Sequence, residues 1–443
     1  MTRRHDHALL AALLALVVAV SAGIYLGVSA DPGGTTSPAA DRAAGQSAAP
    51  ASTGTWVGSW SASPAGAEPG TGTDGLAGLS LRNVVHTSAG GTRARITLSN
   101  LYGRRPLTVT HATIALAAGD GTAAAVPGSM RRVTFAGETR TVVPAGRQTV
   151  SDPVALNVPH DSDVLVTTYS PTGAGPVTYH PRARQISYAG QGDLAADPSG
   201  AGYTRQVEAW RHLTALDVLS NESDGTVVVL GDSLTDGARS TVGANRRWPD
   251  VLSDRLRETL AAGTADVPRY SVVNQGISGN RLLADGPGRP ADSPSGLDRF
   301  DRDVLGGTNV RVVVIDLGIN DILRHPDTAD PDRILEGLRT LVERAHARGV
   351  KVVGATLMPF YGHPGYTDAR EDVRQRINGE IRAGELFDAV ADFDRAVRDP
   401  YDPRRFAKEY DSGDHLHPGD RGYARMAAAF PLTELKGSVP ARL

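Results

Sequence analysis

The stretch VVVLGDS at residues 227–233 decides the fold of the second half of this 443-residue chain. Four consecutive apolar residues, 227–230, are typical of a strand that is buried on both faces of a parallel sheet. The small polar residues that follow mark the carboxyl end of that strand, where open α/β sheets hold their ligands. Ser233 is therefore a candidate nucleophile, provided that other loops supply a base and an oxyanion hole.

Beyond this stretch the sequence alternates between strand and helix patterns. A helix is predicted after Asp330 as N-cap, with Pro331 at its first position and Gly349 just past its end. Short connections between alternating strands and helices favour a parallel sheet covered on both faces. We predict a three-layer α/β/α, flavodoxin-like domain over residues 222–443. Its further strands are predicted at 270–273, 310–317, 350–357 and 387–390.

The preceding segment, residues 55–221, has the pattern of an all-β domain. Alternating residues at 94–99 predict a half-buried strand, and Gly90-Gly91 predicts a hairpin turn that joins it to the run Leu81–His86. Many short strands with turn signals and no convincing helix favour a β-sandwich or jelly-roll-like accessory domain. Further short strands are predicted at 107–116, 154–158, 164–169 and 177–179.

The N-terminus carries an export pattern. Arg3 and Arg4 precede an uncharged apolar run, so residues 1–30 are expected to be a signal peptide or an N-terminal membrane anchor. The remainder is then secreted, or tethered to the outer face of the cell membrane. Residues 31–54, which are rich in Ala, Ser, Thr and Gly, predict a disordered linker.

Composition excludes some partners and says little about others. The 46 basic and 49 acidic residues are mixed along the chain, so no nucleic-acid partner is expected. The chain has no cysteine, and an exported protein of this size is stable without disulfides. We expect a monomer that contacts the membrane only through the possible N-terminal anchor.

A base and its orienting group are predicted near the C-terminus. In the stretch Asp414-His-Leu-His417-Pro418, the Asp414 carboxylate can reach Nδ1 of His417 while Nε2 points outward. His415 lacks such a partner spacing. The alternative is a metal site, since carboxylate and imidazole side chains also suit transition metals. No second cluster demands an ion, so neither a metal nor a cofactor is expected.

Two other loops offer oxyanion donors. Gly279 follows the strand at 270–273 and can present its backbone N–H to a substrate oxygen. Asn320 follows the strand that ends at Leu317 and offers its side-chain amide. With the N–H of Ser233 they make three donors around one oxygen. An α/β-hydrolase elbow is excluded, because Thr235 stands where G-x-S-x-G requires glycine.

Four short blocks follow one another along the chain: Gly231-Asp-Ser-Leu, Gly279 with Asn280, Gly318-Ile-Asn320-Asp and Asp414-x-x-His417-Pro. In this order they resemble the SGNH (GDSL) hydrolase superfamily over residues 225–435. The resemblance implies Ser233 as nucleophile, Asp414 and His417 as orienter and base, and Gly279 and Asn320 as oxyanion donors. Glycine, aspartate, serine and asparagine are also ordinary turn residues, so any single block could be a loop without chemistry.

The β segment carries a second resemblance, through Trp56-Val-Gly-Ser-Trp60 at its start and Tyr179-His-Pro near its middle. It looks like the accessory domain of a secreted actinobacterial-type branch that is similar to acetylxylan-esterase-like enzymes. Asn280, Phe360 and Tyr361 are candidate substrate-binding residues, and the loop that carries the two aromatics could equally form surface packing.

The combined hypothesis is an extracellular serine esterase that acts on short-chain, acetyl-type esters, with acetylated polysaccharide as the expected substrate, through an acyl-enzyme. A lipase, an arylesterase or an acyltransferase with the same site are the alternatives within this chemistry. A cell-surface glycan-binding protein is the alternative from a different class.

Overall fold

The computed structural model describes residues 54–325 and 329–437. The expected export segment and linker lie outside the described residues apart from Gly54, so both stay predictions. Ser52–Leu443 form one compact unit, and the expected boundary between residues 221 and 222 also stays a prediction. Among the described residues, no helix combines the length and apolar character needed to cross a membrane.

Residues 55–220, here called the β region, form antiparallel sheets. The two largest are a five-stranded sheet in the order β1-β16-β4-β10, with β9 also on β4, and a six-stranded sheet in the order β14-β13-β3-β11-β6-β7. Smaller sheets are β15-β12-β2 and β5-β8. The strands are β1 (Thr55–Ser61), β2 (Gly66–Ala67), β3 (Leu79–His86), β4 (Gly91–Ser99), β5 (Leu107–Val109), β6 (His111–Leu116), β7 (Arg131–Arg132), β8 (Thr141–Val143), β9 (Gln148–Val150), β10 (Val154–Val158), β11 (Asp163–Ser170), β12 (Thr178–Pro181), β13 (Ser187–Gln191), β14 (Arg205–Val207), β15 (Ala209–Arg211) and β16 (Leu213–Ser220).

The two large sheets share one hydrophobic core. Ile96 and Leu216 from the five-stranded sheet lie in the same buried cluster as Ile114 and Val166 from the six-stranded sheet. Alternating strand residues from both sheets bury apolar side chains between them, which is how a sandwich is stabilised. The predicted sandwich-type architecture is therefore confirmed.

The predicted hairpin at Gly90-Gly91 is wrong. The strands on either side of it, β3 and β4, lie in different sheets, because β3 pairs with β11 and β13 while β4 pairs with β16, β10 and β9. A Cβ on Gly91 would stand 2.6 Å from the carbonyl oxygen of Leu219. These glycines therefore allow a close backbone approach where the chain crosses from one sheet to the other.

From residue 225 to residue 435, here called the parallel-sheet region, the chain forms one sheet in the order β18-β17-β19-β20-β21, with every pair parallel. Buried clusters cover both faces, which confirms the predicted three-layer arrangement. The elements are β17 (Gly225–Gly231), α1 (Ser233–Asp236), α2 (Trp248–Ala262), β18 (Tyr270–Gly276), α3 (Gly296–Phe300), a π-helical turn (Asp301–Leu305), β19 (Val310–Asp316), α4 (Ile319–Leu323), α5 (Pro331–His346), β20 (Lys351–Ala355), α6 (Asp368–Ala383), β21 (Ala389–Ala391), α7 (Phe393–Val397), α8 (Asp420–Ala429) and a 3₁₀ turn (Leu432–Leu435).

The helix predicted after Asp330 is confirmed as α5. The Asp330 side chain caps it by accepting from the N–H of Asp332, and Pro331 occupies its first position. Gly349 takes a φ of 69°, which favours glycine where the chain turns away. Its buried face comprises Ile334, Leu335, Gly337, Leu338, Leu341, Val342 and Ala345.

The β region packs directly on the parallel sheet. The N–H of Gly58 in β1 donates to Oγ1 of Thr226 in β17 at 3.0 Å. A Cβ on Gly58 would also meet Val273 of β18 at 3.3 Å, so the glycine lets the two backbones approach closely. The first strand of the β region therefore packs against β17 and β18 of the parallel sheet.

Candidate active site

The site is built where three neighbouring strands end at the same level. In the register of the sheet, Gly231 at the end of β17 lies opposite Gly276 of β18 and Asp316 of β19. The loops that leave these three positions carry Ser233, Gly279 and Asn320, respectively. Adjacent parallel strands place their carboxyl ends at one edge, so the sheet itself brings these three residues together.

Ser233 begins the one-turn helix α1. The buried Asp232 carboxylate caps this helix by accepting from the N–H of Leu234 at 2.9 Å. Gly237 ends it with a φ of 88°, so the turn is closed on both sides. The Ser233 side chain is thereby held at the mouth of the site, and the residue as a whole is 8% exposed.

His417 connects the serine to a carboxylate. The Ser233 Oγ lies 2.8 Å from Nε2 of His417, and Nδ1 of the same ring lies 2.9 Å from Oδ2 of Asp414. Because an ionised carboxylate only accepts, Nδ1 carries the hydrogen and Nε2 is left free to accept from the serine hydroxyl. This orientation is the one that removes a proton from a nucleophilic serine.

Asp414 is held in its ionised form. Burial opposes ionisation, but the backbone N–H and the imidazole of His417 together with the Arg239 guanidinium outweigh it and lower the pKa of Asp414 well below its usual value. Arg239 stays 60% exposed while its Nε donates to Asp414 at 3.0 Å. The carboxylate can therefore stabilise an imidazolium when His417 takes up a proton.

A second histidine in the same loop also has a carboxylate partner. Nδ1 of His415 lies 2.6 Å from Oδ2 of Asp411, and His415 adopts a left-handed φ of 61°. The expectation that His415 lacks a partner is wrong, because the partner is four residues upstream rather than three. What separates the two histidines is the hydrogen bond to the Ser233 hydroxyl, which His417 makes and for which His415 has no counterpart within the described residues.

Three N–H groups on the loops that follow these strands are candidate oxyanion donors. Within the described residues, no acceptor bonds to the backbone N–H of Ser233 or of Gly279. The Asn320 amide gives one hydrogen to Asp232 at 3.0 Å and has a second one to offer. Gly279 adopts a φ of 79°, and the exposed Arg324 guanidinium lies where its Cβ would be. This is the donor set that an oxyanion needs.

Buried carboxyl groups lie behind the site. Burial first, and then the charge of Asp316, raise the pKa of Asp232 well above its usual value. Burial also raises the pKa of Asp316 to about 6. The Thr235 hydroxyl donates to this carboxyl group at 2.9 Å and partly offsets the effect of burial. These groups support the nucleophile turn and do not reach solvent.

A buried arginine joins the two loops that the serine and the glycine occupy. Arg299 donates to the carbonyl of Gly231 at 2.8 Å and to Oδ1 of Asn280 at 2.9 Å. A third bond runs to the Ser63 hydroxyl in the β region at 2.9 Å. Sequence reasoning missed Arg299 and also Arg239, because neither belongs to a recognised block and both act through tertiary contacts.

Two predicted substrate-binding residues are corrected. Asn280 and Phe360 are both 0% exposed. The Asn280 amide donates to the carbonyl of Pro294 and accepts from Arg299, so its hydrogen-bonding groups are used internally. Phe360 belongs to the hydrophobic core. Tyr361 is half-buried, and the guanidinium groups of Arg404 and Arg405 lie over its ring.

No group of three or more His, Cys, Asp or Glu side chains within residues 54–325 and 329–437 is arranged to hold a metal ion. Asp411, Asp414, His415 and His417 instead form two separate pairs, as described above. The arrangement around Ser233 suits acyl transfer through a serine, with the histidine as proton carrier.

A serine, a histidine and an aspartate that are hydrogen-bonded in this order at the carboxyl edge of a parallel sheet are typical of ester hydrolases. Residues 229–425 match the model of the GDSL-like lipase/acylhydrolase family, a segment that runs from β17 into α8. The parallel-sheet region therefore belongs to this family, among the SGNH (GDSL) hydrolases, and the chain is a carboxylic ester hydrolase.

Solved structures of low sequence identity each match a little under half of the chain. A GDSL-like lipase from Bacteroides thetaiotaomicron is 21% identical, with 46% of this chain and 84% of that one covered and a TM-score of 0.33. A carbohydrate acetylesterase from Sinorhizobium meliloti is 17% identical, with 46% and 96% covered and a TM-score of 0.36. A lipase/acylhydrolase from Enterococcus faecalis is 22% identical, with 46% and 93% covered and a TM-score of 0.35. No curated protein matches the chain.

Proposed function

We propose that this chain is an extracellular serine esterase that hydrolyses short-chain, acetyl-type esters, with acetylated polysaccharides as its substrate class. One observation carries the esterase assignment. The Ser233 hydroxyl, the His417 imidazole and the Asp414 carboxylate form a continuous hydrogen-bonded chain at the edge of the sheet, at distances of 2.8 and 2.9 Å.

In the proposed reaction, Ser233 Oγ attacks the ester carbonyl while Nε2 of His417 takes its proton. The negative charge that develops on the carbonyl oxygen is stabilised by the N–H groups of Ser233 and Gly279 and by the Asn320 amide. The imidazolium, paired with Asp414, then protonates the leaving alkoxide, and an acyl-serine remains. Water attacks the acyl-serine with His417 again as base, which releases the acid and restores the serine.

Two features support water-soluble substrates over lipid surfaces. An interfacial lipase needs a broad exposed apolar surface. The described residues expose few large apolar side chains, and these are scattered over both regions: Val126, Val142, Val150, Val242 and Tyr401. Near the proposed site, the exposed groups are instead charged, namely the guanidinium groups of Arg239 and Arg324.

The location and the polysaccharide substrate rest on the sequence. The apolar run after Arg3 and Arg4 supports export, with residues 1–30 either cleaved or kept as an anchor. The resemblance of the β region to accessory domains of secreted, acetylxylan-esterase-like enzymes supports a carbohydrate ester. Release of acetate from a panel of acetylated polysaccharides, beside a series of p-nitrophenyl esters of increasing chain length, tests the substrate class. A preference for long acyl chains would contradict it.

The esterase proposal is tested with Ser233→Ala and p-nitrophenyl acetate. We expect kcat to fall by about 10⁴-fold or more, because no other group can form the acyl intermediate. Ser240→Ala is the matched control, since Ser240 is a buried serine seven positions further on whose hydroxyl donates to the Gly237 carbonyl and not to His417. Fluorophosphonate should label the wild type and Ser240→Ala but not Ser233→Ala. Near-native turnover by Ser233→Ala would refute the proposal.

A further inference from the structure

His180 is a buried histidine of the β region that the proposed reaction does not use. It lies on β12, is 4% exposed, and its ring packs on Trp210 with a centroid distance of 5.5 Å. Nδ1 lies 2.8 Å from the carbonyl oxygen of Ser63. Since a carbonyl only accepts, Nδ1 carries a hydrogen, and this contact fixes the orientation of the ring.

The other ring nitrogen reaches the nucleophile helix. Nε2 of His180 lies 2.9 Å from Oδ1 of Asp236, the last residue of α1, whose first residue is Ser233. The side chains of His180 and Asp236 are 4% and 6% exposed, so the contact is shielded from water. A hydrogen bond between a carboxyl group and an imidazole in such surroundings is strong and strictly oriented.

Asp236 also bonds to the loop that carries the proposed oxyanion donor Gly279. Its second oxygen, Oδ2, accepts from the backbone N–H of Ser278 at 2.9 Å and from the Ser278 hydroxyl. Ser278 directly precedes Gly279, whose free N–H is one of the three oxyanion donors. The position of that donor relative to Ser233 is therefore set by a carboxylate that His180 holds from the β region.

A second polar connection runs in parallel. Ser63, whose carbonyl orients His180, accepts through its hydroxyl from Arg299, and Arg299 in turn binds the carbonyl of Gly231 and the side chain of Asn280. Both connections start in the β region, one at His180 of β12 and the other at Ser63. Both end on the loops that carry Ser233 and Gly279, which flank the proposed oxyanion position.

We propose that His180 is a positioning residue for ester hydrolysis. Acting through Asp236 and Ser278, it holds the Gly279 N–H where the oxyanion forms, so the β region supplies part of the catalytic geometry and is more than an accessory domain. The inference rests on the proposed function, since it assigns a role within the Ser233 site. Loss of His180 should reduce stabilisation of the transition state and leave ground-state binding of the ester nearly unchanged.

The test compares His180→Ala with His212→Ala. His212 is also a buried histidine of the β region, 6% exposed, but its hydrogen bonds go to Ser99 and Thr178 and not to the parallel-sheet region. With p-nitrophenyl acetate we expect His180→Ala to lower kcat by about ten- to hundredfold with little change in KM. The rate of fluorophosphonate labelling should fall in parallel, while His212→Ala keeps both values close to wild type.

His180→Gln provides the conservative rescue, because its amide can form a hydrogen bond with Asp236 through either its NH2 group or its oxygen, and it should recover most of the lost kcat. If His180→Ala does not fold, Ser278→Ala takes its place, since it deletes only a hydroxyl from a half-exposed turn and should lower kcat by several-fold with KM unchanged. A kcat within about twofold of wild type in the folded His180→Ala protein, or in Ser278→Ala if it replaces that variant, would overturn the inference.

Wild type and Ser233→Ala, assayed beside these variants, separate the two proposals. If the wild type is inactive, or if Ser233→Ala is as active as the wild type, the proposed function is refuted. If the activity of the wild type depends on Ser233 but the His180 and Ser278 variants keep the wild-type kcat, only the positioning role is refuted.

Discussion

Single residues decide which of two neighbouring histidines can act. Asp411 with His415 and Asp414 with His417 are similar pairs within one loop, and each carboxylate contacts Nδ1 of its partner. Only His417 also contacts Ser233. Asp414 in addition accepts from Nε of Arg239, whereas within the described residues no hydrogen bond joins the other pair to the serine. The pairing of an imidazole with a carboxylate is thus not sufficient to assign a base.

This difference yields a matched prediction. Asp414→Asn should lower kcat by about 10³–10⁴-fold, because the amide favours the wrong tautomer of His417 and cannot stabilise the imidazolium. Asp411→Asn removes a carboxylate from the same loop and should keep kcat within about threefold of wild type. Steady-state kinetics with p-nitrophenyl acetate measures both. Equal losses in the two variants would show that the loop responds as a whole and that Asp414 has no special role.

The residues of the site differ in how far a sequence reveals them. Ser233, Gly279 and Asn320 were predicted because each follows a strand closely, and strand ends can be read from local patterns. His180 is 56 positions from Asp236, and Arg299 is 68 positions from Gly231. Such contacts depend on how the β region packs against the parallel sheet, which local patterns do not contain. Phe360 misled for the same reason, since an aromatic loop residue looks exposed until its packing is known.

At the scale of elements, the crossing from β3 to β4 shows where turn signals fail. A Gly-Gly pair between two strand patterns predicts a hairpin, but the pair here carries the chain between two sheets. The α5 helix was predicted correctly because its cap, its apolar face and its end are all local features. A strand, by contrast, finds its partners far along the chain.

The crossing can be tested with Gly91→Ala. The new Cβ would stand 2.6 Å from the Leu219 carbonyl oxygen and 2.8 Å from Cβ of Val218, so the backbone of β16 must shift. We expect a loss of about 1–3 kcal/mol in the free energy of unfolding, measured with urea. Gly119→Ala is the control, because no atom lies within 4 Å of its Cβ position. An equally stable Gly91→Ala protein would mean that the close approach is not needed.

On the scale of the whole molecule, buried hydrogen bonds join the two regions. The Gly58 N–H bonds to Thr226, and Ser63 bonds to Arg299, which is 1% exposed. Separating the regions would break these hydrogen bonds, at a net cost of about 0.5–1.5 kcal/mol for each bond. The contacts therefore couple the stability of the β region to that of the catalytic sheet.

We expect both regions to unfold in one transition. Three of the four tryptophans, Trp56, Trp60 and Trp210, lie in the β region, and the fourth, Trp248, lies in α2. In Trp248→Phe, fluorescence reports only on the β region, while esterase activity reports on the parallel-sheet region. Both signals should be lost at the same urea concentration. Activity that survives after the fluorescence change, or the reverse order, would show that the regions are independent.

The hydrogen bond between Ser233 and His417 spans 184 positions of the chain. A ribosome that has just added the serine must therefore add about 184 more residues before the base exists, which takes roughly ten to forty seconds at about 5–20 residues per second. During that time an unfinished chain contains the nucleophile but cannot activate it. The order of synthesis thus keeps incomplete copies from cleaving esters inside the cell that makes them.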